Sequence, residues 1–138
     1  MKRYDFVEHT ADTGVIAYGA DMREAFANAA YGMFSLMADL KKVREETSRY
    51  IEAEAGDRES LVVSWLNELL YLFDVEGTIF RRFDILELTN TRLKADAYGE
   101  KADASRHELR GGVKAATYHT LKVAERRDRY SIRVIFDA

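Results

Sequence analysis

Between Tyr4 and His9 the side chains divide into Tyr4 and Phe6 on one face and Asp5, Val7 and His9 on the other, which predicts a first strand. A second strand is expected over Gly14–Ala20. Asp21 then opens a helix, with Glu24 three residues on in a near capping box. Met22, Phe26, Ala29, Met33, Leu36 and Met37 follow at helical spacing and form one apolar stripe. The run "RYIEAEA" alternates and predicts a third strand. Asp57 is the expected N-cap of a second helix, with Glu59 near its positive end. Leu61, Val62, Trp65, Leu66, Leu69, Leu70, Leu72 and Phe73 cover that helix broadly enough to bury more than one side. Asn67 and Glu68 interrupt this apolar cover, facing solvent or satisfying nearby backbone groups. Gly77 is positioned to close the helix.

From Ile79 onward the periodicity changes to that of strands, at about 79–89, 92–99, 113–125 and 129–137. "TNT" and "RRDR" supply the tight turns. The polar segment "GEKADASRHELRGG" is unusually long for a hairpin connection. The expectation is a single α+β domain over 1–138, with about seven strands and two amphipathic helices packed on the sheets.

Composition narrows the chemistry. The 138 residues are 47% hydrophobic, enough for one well-formed core. The chain contains no Cys, which excludes disulfides, thiolate metal sites and thiol nucleophiles. With 21 Lys and Arg against 24 Asp and Glu, the formal charge is -3. That balance argues against a broad basic face and strong direct nucleic-acid binding. No apolar run is long enough to span a membrane and the first residues lack a signal-peptide core, so a cytoplasmic location is expected. Nucleophile-elbow, P-loop, dinucleotide and H-E-x-x-H motifs are all missing from the sequence.

Two stretches hold candidate chemistry. In the last strand Tyr130, Ile132, Val134 and Phe136 share one parity, and Ser131, Arg133, Ile135 and Asp137 the other. Asp137 and the carboxylate of Ala138 therefore stand together at a strand end, unfavourably unless a cation or donor compensates. Asp12, after the first strand, is a third oxygen donor. This set suits Ca²⁺, Mg²⁺ or Mn²⁺ better than Zn²⁺, with His9 as a ligand or a neighbour of the ligands. The same residues also fit a turn Asp and an exposed terminus, since Asp-Thr-Gly is ordinary turn chemistry. In "GGVKAATYHTLKV", Lys114 beside two glycines could meet an anion or be a solvated strand residue. His119 shares its parity with Val113, Leu121 and Val123 if the strand is regular, which separates it from Lys114. His107 and Glu108 carry little signal.

The stretches "EHTADTGVIAYG", "AFANAAYGMFSLM", "WLNELLYLFDVEG", "VKAATYHTLKV" and "VIFDA" resemble the archease family, in order and over essentially the whole chain. The resemblance implies a non-catalytic accessory protein. Its partner would be the RtcB-type RNA ligase of tRNA splicing, whose guanylylation and multiple turnover it promotes. It implies an α+β fold and a divalent-cation site, usually taken as Ca²⁺, at Asp12, Asp137 and Ala138. Lys114, and with them His9 and His119, would face the ligase or its nucleotide. The family commonly ends in Asp followed by Ile or Val, where this chain ends in Asp-Ala. Alternatives are a chaperone-like modulator of RNA-modifying enzymes such as a tRNA methyltransferase, and a metal-dependent phosphohydrolase. The missing nucleophile and base count against the second.

Overall fold

The computed structural model describes residues 2–7, 13–111 and 113–138. Its elements are β1 (Tyr4–Phe6), β2 (Thr13–Gly19), α1 (Met22–Ser35), a 3₁₀ turn at Leu40–Lys42, β3 (Thr47–Glu54) and α2 (Arg58–Glu76). There follow β4 (Thr78–Leu88), β5 (Arg92–Lys101), β6 (Ala115–Ala116), β7 (Lys122–Arg126) and β8 (Arg129–Asp137). One sheet runs β1-β2-β8, with β6 and β7 both paired along the far edge of β8. The other sheet runs β3-β5-β4, and all pairings are antiparallel.

The helices lie between the two sheets. Helix α1 packs on β2 and β8 of the first sheet and on β4 of the second; α2 packs on β3 of the second and reaches β6 of the first. This placement explains why both helices are apolar on more than one side. The stripe of α1 is buried at Phe26, Ala29 and Met33, but so are Ala25, Ala30 and Phe34, and the Phe34 ring packs on Phe80 and Phe83 of the second sheet. In α2 the predicted residues from Leu61 to Leu72 are buried, joined by Val63. Trp65 is fully buried, and its indole N–H donates to the carbonyl of Phe26 at 3.1 Å, linking the two helices. Phe34, Phe80 and Phe83 cluster beside it. Because the helices occupy the interior, each sheet keeps one face toward water, as antiparallel sheets commonly do.

The helix ends follow the sequence. Asp21 accepts from the Glu24 amide at 2.8 Å, while Glu24 Oε1 accepts from the Ala20 amide at 3.0 Å. Asp57 accepts from the Ser60 amide at 2.7 Å, and the Ser60 N–H holds its carboxyl below the usual range. Helix α2 ends at Gly77 with φ 70°.

The segment expected as one strand over 113–125 is broken into β6 and β7. The backbone turns between them: Leu121 N–H donates to the Tyr118 carbonyl at 3.2 Å, and Thr120 adopts φ 47°. Thr117 still pairs with β8, since both its N–H and its hydroxyl donate to the Ile135 carbonyl, at 3.0 and 2.9 Å, and β7 resumes with Lys122 opposite Arg133, so the departure lies in the residues between. The hydroxyl also accepts from the His119 amide at 3.3 Å. The described part of the first strand covers Tyr4–Phe6, and Glu8 and His9 lie outside the described residues. No helix among the described residues is long and apolar enough to cross a membrane.

Candidate functional site

Strand β8 is the centre of the site. Near its end it is flanked on both sides: Phe136 stands opposite Thr13 of β2 and opposite Ala116 of β6. Asp137 pairs with Ala115, and its carbonyl accepts from the Lys114 amide at 2.8 Å. The start of β2, the stretch before β6 and the end of the chain therefore converge. Sequence reasoning could only raise this meeting of the start of β2 with the last strand; the sheet register establishes it.

Close packing keeps the convergence tight. A Cβ placed on Gly14 would lie 2.6 Å from Ile135 Cδ1 and 2.7 Å from the Val134 carbonyl oxygen. Gly14 is thus a residue inside β2 at a point where β8 approaches closely. On the far side, Asn67 of α2 grips Ala116: its Oδ1 accepts from the Ala116 amide at 2.7 Å and its Nδ2 donates to the Ala116 carbonyl at 3.4 Å. A two-residue strand is too short to be stable by pairing alone, and this side-chain clamp fixes it.

Asp137 and Ala138 are both exposed at the end of β8. Among the described residues, no three His, Asp or Glu side chains converge as a metal site. Asp12 and His9, the other expected members, lie outside the described residues. Lys114 is exposed, one residue before β6. His119 is exposed in the turn beyond β6. The parity rule that separated Lys114 from His119 presumed a regular strand, and the break between β6 and β7 removes that premise.

The long polar connection between β5 and β6 holds a feature that sequence reasoning missed. His107 is fully buried, and Glu100 is only 4% exposed. His107 Nδ1 accepts from the Asp103 amide at 2.9 Å, which leaves Nε2 to donate to Glu100 Oε2 at 2.9 Å. The same oxygen accepts from the Arg44 amide at 2.7 Å and from the Arg106 guanidinium. Burial pushes the Glu100 carboxyl up, but these donors outweigh it and leave it below its ordinary value. Further bonds tie the loop to the end of α1: Arg110 N–H donates to the Met37 carbonyl at 2.7 Å, and Asp39 N–H to the His107 carbonyl at 2.9 Å. The loop that delivers Lys114 is therefore docked onto the helix layer. The signal available in sequence was the spacing of Asp103, Ser105 and His107, since Asp103 caps its own turn through Ser105 at 2.9 Å.

This arrangement has close counterparts. The profile of the Archease protein family (MTH1598/TM1083) matches residues 4–138. The chain is 44% identical over 126 residues to protein archease of Pyrococcus abyssi, covering 89% of each. It is 38% identical to that of Sulfolobus acidocaldarius over 99% of both. The solution structure of protein 1598 from Methanobacterium thermoautotrophicum is similar over the full length of both chains, with TM-score 0.83 and 34% identity. An archease crystal structure from Thermotoga maritima, TM-score 0.62 and 21% identical, covers 96% of this chain and 94% of its own, and shares the fold. Matches of this extent, together with the α+β architecture and its two antiparallel sheets, establish that the chain belongs to the Archease protein family.

Proposed function

We propose that the protein is a non-catalytic accessory factor that promotes guanylylation and multiple turnover of an RtcB-type RNA ligase in tRNA splicing. It would act through a divalent-cation site formed by Asp12, Asp137 and Ala138. The observation that carries this reading is the register of Thr13 opposite Phe136, with Asp12 directly preceding Thr13 in sequence and Asp137 directly following Phe136. The donors are carboxylate and main-chain oxygens in a chain without Cys, a set that fits Ca²⁺, with Mg²⁺ or Mn²⁺ as alternatives. A bound divalent ion would supply charge neutralisation toward nucleotide phosphates.

The residues of the chain do the rest. The Asn67 clamp and the β6–β8 pairing hold the Lys114 backbone against Asp137. Lys114, exposed with its backbone bonded to Asp137, would meet an anionic group of the ligase or its nucleotide beside Asp137 and Ala138. Docking on a basic RNA-binding enzyme suits this acidic chain.

A second reading, a chaperone-like modulator of RNA-modifying enzymes such as a tRNA methyltransferase, is favoured by the description of the Thermotoga maritima relative as a possible chaperone. The deciding experiment is multiple-turnover RNA ligation by the cognate ligase, with wild type, Asp12→Ala or Asp137→Asn. Stimulation by wild type alone is the expected result. Equal stimulation by all three would overturn the cation site. Absence of stimulation by wild type, with suppressed aggregation of unrelated clients, would favour the chaperone reading.

A further inference from the structure

The solvent face of the five-stranded sheet carries a groove of about 280 Å³ lined by Ile16, Tyr18, Lys122, Arg126, Arg129 and Arg133, with Ala124 and Ser131 in its floor. Its charge is set by strand register. Lys122 stands opposite Arg133, Ala124 opposite Ser131, and Arg126 opposite Arg129. Two cation pairs thus face each other across β7 and β8, separated by one pair of small residues. Like charges placed directly across a ladder destabilise it. Among the described residues, none of these four cations is ion-paired.

A larger cleft lined by Arg81 and Arg82 differs in its charge pairing. That cleft, about 520 Å³, is also rich in basic residues, including Arg81 and Arg82. There Glu45 lies 3.7 Å from Arg81 and 2.7 Å from Arg82, and Asp84 lies 2.6 Å from Arg82. Arg81 and Arg82 are thus already neutralised. In the sheet groove the nearby carboxylate on the β1 side, Asp5, is occupied by Lys2 at 3.1 Å and by the Tyr18 hydroxyl at 3.0 Å. The acidic residue of β7, Glu125, has the opposite parity and pairs with Arg58 at 3.1 Å. Arg129 also feels the charge of Asp5, but among the described residues no acid pairs with Lys122, Arg126 or Arg133, and a repulsive arrangement kept in this way is the expected mark of a surface that receives an anion.

The flat elements of the groove identify the anion's class. The Arg129 guanidinium stacks over the Tyr18 ring at 4.3 Å, presenting a planar surface at one end. Three of the four cations are arginines, whose forked donors match phosphate oxygens. A sheet face with guanidinium groups and a stacked aromatic beside small residues is the platform on which single-stranded nucleic acid lies. Arg133 and Asp137 also share a face of β8, four residues or about 13 Å apart. The groove therefore runs along the same face as the end of β8. We propose that the groove formed by Lys122, Arg126, Arg129 and Arg133 binds the phosphate backbone of a single-stranded nucleic-acid segment, with a base against the Arg129–Tyr18 stack. The net negative charge of the chain limits this to local and modest affinity, without conflicting with four positive charges gathered in one place.

The test is fluorescence anisotropy of a labelled twelve-nucleotide oligouridine with the isolated protein in chelator, over a range of salt, alongside thermal melting. Four neutralised phosphates predict a slope of log Kd against log salt of about 3. Replacing Lys122 and Arg133 with Gln is expected to lower that slope by about 1.4. The same replacements are expected to leave Tm unchanged or raise it, because a repulsive pair is removed. Lys41→Gln, outside the groove, should change neither. Equal binding of wild type and the Lys122/Arg133 double variant would overturn the proposal. So would a lowered Tm in that variant, which would make the cations structural. Tighter binding of polyglutamate than of oligouridine would also overturn it, and would point to an acidic protein segment.

Discussion

Asn67 on α2 holds Ala116 by both of its backbone polar atoms, with Oδ1 2.7 Å from the amide and Nδ2 3.4 Å from the carbonyl. A residue that interrupts an apolar helix face is thereby the lateral support of the strand that flanks Asp137. Asn67→Ala would leave a partly buried amide unsatisfied and is expected to destabilise the protein by about 1–3 kcal/mol. Hydrogen exchange at Ala115 and Ala116 should accelerate more than at α2 itself. Uniform acceleration across the protein would contradict the local role of this clamp.

Gly14→Ala forces a methyl group against Ile135 Cδ1 and the Val134 carbonyl. Ile135 can rotate away, but the carbonyl belongs to the β8 ladder. Overpacking of this kind is expected to lower stability by about 1–3 kcal/mol. Chemical-shift changes should concentrate at Thr13, Gly14 and Ile135–Asp137, and ligase stimulation should fall with them. A Tm equal to that of wild type would show that β2 accommodates the methyl group.

His107 is the keystone of the long β5–β6 connection. His107→Ala would create a cavity and strip one donor from a nearly buried carboxylate, with an expected loss of about 2–4 kcal/mol in urea unfolding. Limited proteolysis should then cut within residues 102–114 faster than in wild type, where the loop is bonded to the end of α1. A resistant loop in the variant would mean that the Arg110 and Asp39 backbone bonds suffice to hold it.

Glu100 gives this network a pH signature. Despite its burial, the Arg44 amide, His107 and Arg106 hold its carboxyl below the ordinary value of 4.5. A carboxyl depressed in the folded state contributes stability that is present above the unfolded value and lost as pH falls through the folded one. The stability difference between wild type and Glu100→Gln should therefore be full at neutral pH and shrink below about pH 4.5. A difference that stays constant from pH 7 to pH 3 would show that Glu100 does not titrate with unfolding.

Cation binding has a readout independent of the ligase. Ca²⁺ in hundredfold excess over its Kd should stabilise the wild type by about 2.7 kcal/mol. Asp137→Asn is expected to abolish the corresponding rise in Tm while leaving the Tm in chelator near that of wild type. A Ca²⁺-dependent rise that survives in Asp137→Asn would remove Asp137 from the ligand set.

Much of the fold follows from local signals. Asp21, Asp57 and Gly77 mark the helix ends because capping satisfies backbone groups within a few residues. The strands from β3 to β5 and the final strand β8 follow from alternation, which depends only on which side of the pleat a residue occupies. The residues Thr117 to Leu121 were not legible in this way. Their alternation continues, but β8 supplies only one residue between the Ile135 bonded by Thr117 and the Arg133 paired with Lys122, so the intervening residues loop out of the ladder in a way set by the partner strand. His107 was hidden for a similar reason: its partners Glu100 and Arg44 are supplied by other elements, and its immediate neighbours in sequence are polar.

By itself the sequence determined the element types, the α+β class, the absence of thiol chemistry and the resemblance to archeases, because composition, capping and motif order are local properties. Tertiary structure alone decided that Thr13 meets Phe136 and that β6 is clamped by Asn67, and it set the register that gathers Lys122, Arg126, Arg129 and Arg133 of the last hairpin into one groove. Each of these depends on strand register and layer packing, which bring together residues that no local periodicity relates.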